Sequence, residues 1–379
     1  MNAPPSLVCR ELRLRQFRNF ADLDLEFPPA GAAVIGPNGS GKTNLVEALY
    51  YLEIFRSFRG ASDDQLIRFG GEAFHIRGRF QDPASGRDLE VTAAFEKRRR
   101  RKVVTVDGAE AERLGDALGR IGAVVFSPSD VAIVAGAPGE RRRFLDIVLS
   151  LNVRGYLPAL QRYRHTLRQR NALLRGGAPA GQLEPWTAGL VEAGAAISAA
   201  RSRWVAEHRD GFADRYARIG GEAACRLAYR PSVSGTESPD SDSADALRAE
   251  LDRLVGRERE RGLTLAGPHR DDLAFLRCDD DDARDLRDFG SGGQQRTAAV
   301  SLRLVEAETI RRARGRAPII LLDDIFAELD PGRSARLLEL LEDEPGQVIL
   351  TAPKPSDVEV RHGALPRWRI AGGQIVAAA

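Results

Sequence analysis

Apolar and polar residues alternate in several short segments of the first hundred or so residues. A period of two is typical of half-buried β-strands. It predicts strands at 12–17, 23–27, 74–80, 89–95 and 103–106. Asp107-Gly108, directly after the last of these segments, is a hairpin signal. A short apolar run at 32–35 predicts a buried strand, and residues 44–55, beyond a glycine-rich turn, predict a helix.

The pattern changes to a helical period after Pro138. Apolar and aromatic residues then recur at intervals of three, four and seven in two segments, 156–174 and 186–204. Gly176-Gly177 separates them. Two successive helices with a glycine-rich link predict an antiparallel helical arm, although an ordinary helical subdomain has the same pattern.

The last third of the chain returns to strand signals. Residues 232–245 are rich in Ser, Asp, Pro and Gly, which predicts a disordered loop. A helix is expected at 246–261, followed by a short strand at 263–265. The apolar runs 319–322 and 347–350 predict buried strands.

Together these segments predict an α/β fold built from two domains. We expect one domain, with an antiparallel β subdomain, to be formed by residues 1–137 and 262–379. Residues 138–261 are expected to form an inserted helical arm or lid domain.

A glycine-rich segment between the predicted strand at 32–35 and the helix that follows fits GxxxxGK[ST], the P-loop pattern. Its backbone N–H groups and the helix N-terminus are suited to ATP phosphates. Lys42 is expected to face the β- and γ-phosphates, and the Thr43 hydroxyl to bind Mg²⁺. The nucleotide-binding residues are Gly36, Pro37, Asn38, Gly39, Ser40, Gly41, Lys42 and Thr43.

The apolar strand at 319–322 ends in two carboxylates, Asp323 and Asp324, as in the Walker B pattern. We expect Asp323 to bind Mg²⁺ beside the P-loop. Asp324 is expected to orient or deprotonate the attacking water, so Lys42, Asp323 and Asp324 are the candidate catalytic residues.

A second phosphate-binding element is predicted in the segment SGGQ, which precedes a helix and lies about thirty residues before Walker B. It reads as the signature of ABC-type ATPases, in which a serine hydroxyl and glycine N–H groups at a helix start bind anions. With the P-loop and Walker B, this signature predicts that residues 1–137 and 262–379 form a P-loop ATPase head of the ABC type. A flexible helix cap has the same sequence. The candidate ATP-binding residues here are Ser291, Gly292, Gly293 and Gln294.

Several narrower stretches resemble the RecF family of bacterial recombination mediators over essentially the whole chain. Beside the ATP motifs they are Phe17-Arg18-Asn19, RSFR at 56–59, FSP at 126–128, RRRFLD at 141–146, QRNALL at 169–174 and GPHRDDL at 267–273. The resemblance implies a head-to-tail, ATP-dependent homodimer on double-stranded DNA, with single-strand/double-strand junctions as a further candidate. It also implies slow hydrolysis as a release timer and cooperation with RecR and RecO in loading RecA at gaps.

The chain departs from the wider ABC pattern at three places. Asp324 stands where many relatives have Glu, and Thr351 stands near the usual switch histidine. Residues 126–130 contain no Q-loop glutamine. A transporter ATPase subunit is an alternative function, but 249 residues between Lys42 and Ser291 are too many for a typical one. A short-armed structural SMC-like protein is another alternative.

Composition and charge place the protein among soluble, cytoplasmic ones. Of 379 residues, 43% are apolar and 29% charged, and no uncharged apolar run is long enough to span a membrane. The N-terminus lacks a signal-peptide pattern. Cys9, Cys225 and Cys278 are scattered and predict neither a zinc site nor disulfides.

One basic run between two predicted strands is a candidate DNA contact, although such a run is usually only a solvated surface. The sequence contains no basic strand with interleaved aromatic residues, so stacking on single-stranded nucleic acid is not predicted. Arg141, Arg142 and Arg143 are candidates for DNA or the partner subunit, and His269 for nucleotide or a turn. The residues of the run are Lys97, Arg98, Arg99, Arg100, Arg101 and Lys102.

Overall fold

The computed structural model describes residues 6–82, 86–221, 224–238, 242–279, 282–342, 345–355 and 365–377. The chain divides into two compact units. The first combines Met1–Asp130 with Leu302–Ala379, and the second is Val131–Ser301. The head and arm domains expected from the sequence, with limits at 137/138 and 261/262, stay a prediction.

Fifteen strands lie in the part of the chain that the structure describes. They are β1 (Val8–Phe17), β2 (Phe20–Glu26), β3 (Gly31–Ile35), β4 (Ala73–Gln81), β5 (Asp88–Glu96), β6 (Arg101–Val106), β7 (Ala109–Glu110), β8 (Ala123–Phe126), β9 (Cys225–Arg230), β10 (Asp272–Asp279), β11 (Asp282–Asp285), β12 (Ile319–Asp323), β13 (Val348–Ala352), β14 (Arg367–Ala371) and β15 (Gln374–Ala377).

The described α-helices alternate with these strands and dominate the second unit. They are α1 (Lys42–Ile54), α2 (Asp63–Leu66), α3 (Leu114–Ala117), α4 (Val131–Ala135), α5 (Pro138–Asn152), α6 (Tyr156–Arg175), α7 (Ala180–Gly220), α8 (Ser243–Arg261), α9 (Leu286–Phe289), α10 (Gly292–Arg314) and α11 (Pro331–Glu342). None of the helices in the described ranges combines the length and apolar character needed to cross a membrane.

The first unit contains an antiparallel sheet with strand order β2-β1-β4-β5-β6-β7. Buried and more exposed residues largely alternate along β2, β4 and β5, as expected for a sheet with one face on the core. The strand predictions at 12–17, 23–27, 74–80, 89–95 and 103–106 are confirmed.

A second sheet of the first unit has the order β15-β14-β3-β13-β12-β8, and β14, β3, β13, β12 and β8 run parallel. Strands β3, β8 and β12 are buried along their whole length, which explains their uninterrupted apolar sequences. Helix α1 contacts strands of both sheets and is almost entirely buried. The predicted α/β class is confirmed.

The carboxyl ends of parallel strands meet at one edge of a sheet. Strand β13 lies between β3, which leads into the P-loop, and β12, which ends at Asp323. The sheet therefore brings residues almost 300 positions apart in the sequence to one edge, the position where α/β proteins bind ligands.

In the second unit, α6 and α7 form the antiparallel pair expected from the sequence. Arg170 on α6 bonds Thr187 on α7, whereas Tyr156, earlier on α6, bonds Arg201, later on α7. Helix α7 has 41 residues and extends about 60 Å at 1.5 Å per residue. Strands β11, β10 and β9 form a small antiparallel sheet in the same unit.

Two local predictions in this region are wrong. Residues 263–265 form no strand. Instead, the buried Thr264 hydroxyl forms hydrogen bonds with the side chains of Arg170 and Asn171. Helix α8 begins at Ser243 rather than 246, because the Asp242 carboxylate accepts the N–H groups of Ala244 and Asp245.

The predicted disordered loop is anchored where the structure describes it. Ser232 donates its N–H to Asp271, and the Ser202 hydroxyl donates to the Glu237 carbonyl. Val233 and Thr236 are buried. Disorder is therefore a wrong prediction for 232–238, and residues 239–241 lie outside the described residues.

Candidate nucleotide-binding site

The P-loop connects β3 to α1, and two of its glycines, Gly36 and Gly41, have close neighbours. Gly41 has a φ of 113°, and a Cβ there would lie 2.4 Å from the side-chain nitrogen of Asn19. A Cβ on Gly36 would lie 2.5 Å from the carbonyl oxygen of Ile370. A larger residue at Gly36 would require the backbone to shift, and one at Gly41 would displace the Asn19 side chain and strain the backbone, so these two glycines are required by their surroundings as well as by phosphate chemistry.

Lys42 lies inside this loop with only 3% of its surface exposed. Its Nζ donates to the carbonyl oxygens of Gly36 at 2.9 Å and Pro37 at 3.3 Å. A carboxylate oxygen of Asp324 lies 3.5 Å from the same ammonium group. These contacts hold the charge at the centre of the loop, where a phosphate would need it.

The next residue, Thr43, connects the P-loop to Walker B. Its hydroxyl donates to a carboxylate oxygen of Asp323 at 2.9 Å. Burial raises the pKa of Asp323 to about 6, although the hydrogen bonds from Thr43 and Thr351 oppose this shift. A buried pair of oxygen donors of this kind fits Mg²⁺, which uses few protein ligands and prefers oxygen.

Thr351, on the neighbouring strand β13, binds both Walker B carboxylates. Its hydroxyl lies 3.1 Å from Asp323 Oδ1 and 3.2 Å from Asp324 Oδ1, and it accepts the N–H of Asp324 at 3.0 Å. Because the hydroxyl has one proton, it donates to one carboxylate at a time. Asp324 has a φ of 48°, an uncommon conformation for a non-glycine residue. Thr351 therefore positions Asp324, a role that no sequence motif indicated.

The stretch Phe17-Arg18-Asn19 supports the P-loop from the antiparallel sheet. Asn19 donates to the Ser40 carbonyl and accepts from Asn44. Arg18 forms a two-bond ion pair, at 2.8 and 2.9 Å, with Glu47, which is fully buried on α1. Sequence reasoning assigned these residues no role, because the partners are 21 to 29 positions apart.

Asp130 occupies the region where a Q-loop glutamine was sought. It accepts the N–H of Ser127 and pairs with Arg303 at 2.6 Å. Arg303 also pairs with Glu306 at 2.6 Å, and all three side chains are largely buried. This cluster stabilises the end of β8. The side chain in the Q-loop region is therefore a carboxylate, Asp130, and not an amide.

The signature segment begins α10. Ser291 and Gln294 cap each other: the Ser291 N–H donates to the Gln294 side chain, and the Gln294 N–H donates to the Ser291 hydroxyl. Ser291 and Gly292 are exposed, whereas Gly293 and Gln294 are half-buried. The first turn of the helix contains no acidic residue, so its N-terminus keeps its attraction for anions.

The basic run lies at a hairpin turn, as predicted, between β5 and β6. Lys102 is not available to a ligand, because it donates to the Phe55 carbonyl at 2.7 Å and pairs with Asp63 at 2.9 Å. Arg101 pairs with Glu110 at 3.2 Å. Arg101 and the turn at 97–100 are exposed. Within the turn, Arg99 lies 3.7 Å from Glu96 and Arg100 lies 3.9 Å from Asp64.

The sequence made all three arginines of RRRFLD candidates for contact with DNA or a partner subunit, but the structure does not leave Arg141 available for this role. Arg141 is buried, pairs with Asp272 and donates to three backbone carbonyls, so it cannot contact DNA or a partner. Arg142 donates to the Asp271 carbonyl, and Arg143 is exposed.

His269 stabilises a turn of the second unit. Its Nδ1 lies 2.6 Å from the Tyr163 hydroxyl, and its Nε2 lies 3.2 Å from the Thr264 carbonyl oxygen. A carbonyl only accepts, so Nε2 carries the proton and Nδ1 accepts from Tyr163. Burial lowers the pKa of His269 to about 4, which keeps the ring neutral at pH 7.

Asp146, Arg201 and Asp271 form a buried ionic cluster that joins RRRFLD to GPHRDDL. Arg201 lies 2.8 Å from a carboxylate oxygen of Asp146 and 3.5 Å from one of Asp271. The hydroxyls of Tyr156 and Tyr229 donate to these two carboxylates. Arg164 pairs with the other carboxylate oxygen of Asp146 at 2.8 Å, so the two carboxylates are matched by two guanidinium groups of the same unit.

QRNALL is tied to the same unit through a second buried pair. Arg170 and Glu258, both nearly inaccessible to solvent, pair at 2.6 Å. The neighbouring Asn171 accepts the N–H and hydroxyl of Thr264, close to GPHRDDL. The three narrow stretches are thus structural elements of one unit.

Comparison with known proteins identifies the family. The model of the RecF/RecN/SMC N-terminal domain matches residues 8–363. The DNA replication and repair protein RecF of Moorella thermoacetica is 38% identical over 343 residues, covering 89% of this chain and 88% of that protein. The chain belongs to the RecF family. The RecF of Salinibacter ruber is 36% identical over 378 residues, covering 95% of this chain and 88% of that one.

Solved structures agree with this assignment. A structure described as the recombination mediator protein RecF with ATP in the RecFOR pathway has a TM-score of 0.89 and 29% identity, and covers 100% of this chain and 99% of that one. An Smc head domain from Pyrococcus furiosus has a TM-score of 0.58 at 16% identity and shares the fold alone. The protein is an ATPase of the RecF family, and its solved RecF relative is described with ATP.

Proposed function

We propose that the protein is an ATP-dependent, double-stranded-DNA-binding protein of recombinational repair and replication restart. The observation that carries the proposal is the convergence of Lys42, Thr43, Asp323 and Asp324 in a RecF-family chain. Lys42 binds the β- and γ-phosphates, and Asp324 orients the attacking water. Thr43 and Asp323 hold Mg²⁺, which would neutralise charge on the phosphates.

The proposed active form is a head-to-tail homodimer. The exposed Ser291 and Gly292, at the start of a helix without acidic residues in its first turn, suit the γ-phosphate of ATP held by a second subunit. Asp324 is one methylene shorter than glutamate and lies 3.5 Å from Lys42, which suits slow hydrolysis. Slow hydrolysis would act as a timer for release from DNA.

DNA and protein partners follow from the relatives. RecF relatives are named DNA replication and repair proteins, and two solved ones are described as part of the RecFOR pathway. We propose that this protein binds duplex DNA in the cytoplasm and acts with RecR and RecO to load RecA at gaps. The 97–100 turn is the proposed DNA contact, and residues 138–261 the proposed arm domain.

ATPase activity measured against protein concentration, with and without duplex DNA, tests the proposal. We expect the rate per subunit to rise with concentration, because each site needs a second subunit, and to rise further with DNA. The Lys42→Ala variant serves as the blank. A rate per subunit that is independent of both concentration and DNA would contradict the dimer and the DNA-dependent function.

A further inference from the structure

Phe69 is the most exposed large apolar side chain among the described residues, with 100% of its surface exposed. The next most exposed, Phe289, reaches 67%. A phenylalanine in this position gains nothing from burial, so folding of this chain alone gives no reason for it.

The backbone that carries Phe69 is held on both sides. The Arg68 N–H donates to the Gln16 carbonyl at 2.8 Å, and the Gly71 N–H donates to the Arg68 carbonyl at 2.8 Å. Gly70 closes the turn with a φ of 83°. Phe69 is therefore displayed at the tip of a defined turn.

This turn lies beside the basic hairpin turn. Ala73 pairs with Glu96 across β4 and β5, and the Lys97 N–H donates to the Glu72 carbonyl at 2.9 Å. Arg68, Lys97 and Arg98 are exposed and form no ion pair within the described residues. An aromatic ring and three unpaired cations thus share one end of the antiparallel sheet.

An aromatic ring beside unpaired cations matches single-stranded nucleic acid, in which cations bind phosphates and the ring stacks on a base. A continuous duplex would have to be unstacked to admit the ring, whereas an unpaired base next to a duplex end is already accessible. We propose that Phe69 stacks on the unpaired base at a single-strand/double-strand junction, with Arg68 and the 97–100 turn on the flanking phosphates. This rests on the proposed DNA-binding function and assigns its junction specificity.

Fluorescence anisotropy with ATP tests the inference on two labelled DNAs, a continuous duplex and the same duplex carrying a single-stranded gap. We expect Phe69→Ala to bind the gapped DNA about 5- to 150-fold more weakly, the range typical of base–aromatic stacking. Its affinity for the continuous duplex should change less than about twofold. A 2-aminopurine at the first unpaired position should be quenched by the parent protein and not by this variant.

Two matched variants separate stacking from simple apolar contact. Phe69→Trp keeps an aromatic face and should retain the preference for gapped DNA, whereas Phe69→Leu keeps apolar bulk and should lose it. Retention by the leucine variant, an equal loss on both DNAs, or parental binding by Phe69→Ala overturns the inference. If the parent protein itself binds neither DNA while binding ATP, the proposed function fails instead.

Discussion

At the scale of single residues, the site joins groups that the sequence places far apart. The P-loop and the two Walker B aspartates were predictable, because each motif is local and lies between recognisable elements. Thr351 was not, because its role depends on the pairing of Asp323 with Thr351 between two parallel strands. Such a pairing leaves no signal in a single sequence.

Thr351→Val replaces the hydroxyl with a methyl group of similar size and removes the hydrogen bond that the hydroxyl donates to one Walker B carboxylate at a time. We expect about a tenfold fall in kcat, corresponding to the removal of one hydrogen bond of about 1.4 kcal/mol from the catalytic geometry. Steady-state ATPase kinetics measure this effect. Thr351→Ser should retain the parental rate, and a valine variant with unchanged kcat would show that the hydroxyl is not needed.

Asp324→Asn keeps the size of the side chain and removes its negative charge. Because Asp323 remains for Mg²⁺, the variant should bind ATP, hydrolyse it about 100-fold more slowly or worse, and accumulate an ATP-bound dimer. Light scattering with saturating ATP measures the oligomer. Asp324→Glu should retain hydrolysis, and an asparagine variant that stays monomeric with ATP would contradict the head-to-tail model.

At the scale of elements, hydrophobic periodicity identified most strands of the first unit and the α6–α7 pair. Periodicity gave a wrong prediction at 263–265, because three residues are too few to show a period. Leu263, Thr264 and Leu265 have strand-like composition, yet Thr264 bonds Arg170 on another element. Strand β9 has an alternating pattern, but it is only six residues long and a polar loop follows it, so its signal is weak.

The hairpin turn gives a prediction for DNA affinity. Changing Arg98, Arg99, Arg100 and Arg101 to Ala should weaken duplex binding, because fewer cations remain to bind phosphates. The log–log salt slope should fall by about 0.9 for each phosphate that the turn no longer binds. Anisotropy across a salt series measures both quantities, and ATP affinity without DNA is the control.

Single variants refine this test. Arg98 has no ion pair within the described residues, whereas Arg101 pairs with Glu110. Arg98→Ala should therefore reduce affinity more than Arg101→Ala. If the quadruple variant matches the parent in both affinity and slope, the turn is only a solvated surface.

Two substitutions of Ser291 distinguish its role as the cap of α10 from its proposed role at the dimer interface. Ser291→Arg places a bulky cation at the exposed helix start and should block ATP-dependent dimerisation while sparing ATP binding. Ser291→Ala also removes the cap, which costs about 1 kcal/mol, but adds no bulk. We therefore expect the alanine variant to dimerise in light-scattering measurements; normal dimerisation by the arginine variant would show that this segment only caps a helix.

At the scale of the whole molecule, stability should depend on pH through His269. Its folded pKa of about 4 lies below its ordinary value of 6.5, so the unfolded chain binds more protons between these values. Stability is fully present above pH 6.5 and falls as the pH drops towards 4. Because the ring is partly exposed, we expect His269 to contribute about 1–3 kcal/mol to the loss of unfolding free energy over this pH interval.

Urea unfolding at pH 7 and pH 4.5 measures this contribution. His269→Gln should lose less stability than the parent over that interval, because the buried neutral imidazole is gone. His165→Gln changes an exposed histidine and is the matched control. If both variants follow the parent, His269 does not govern the acid response.

The buried Arg201–Asp146–Asp271 cluster has a consequence for how such a chain diverges. Arginine cannot lose its charge by releasing a proton, and replacing one member of a buried pair leaves its partner uncompensated, at a cost of about 3–5 kcal/mol. A lineage can change these positions only through an impaired intermediate or by several substitutions together. RRRFLD and GPHRDDL are therefore coupled through Arg201, so a change at Asp146 or Asp271 requires a compensating change elsewhere in the cluster, unlike a swap between apolar core residues of similar volume.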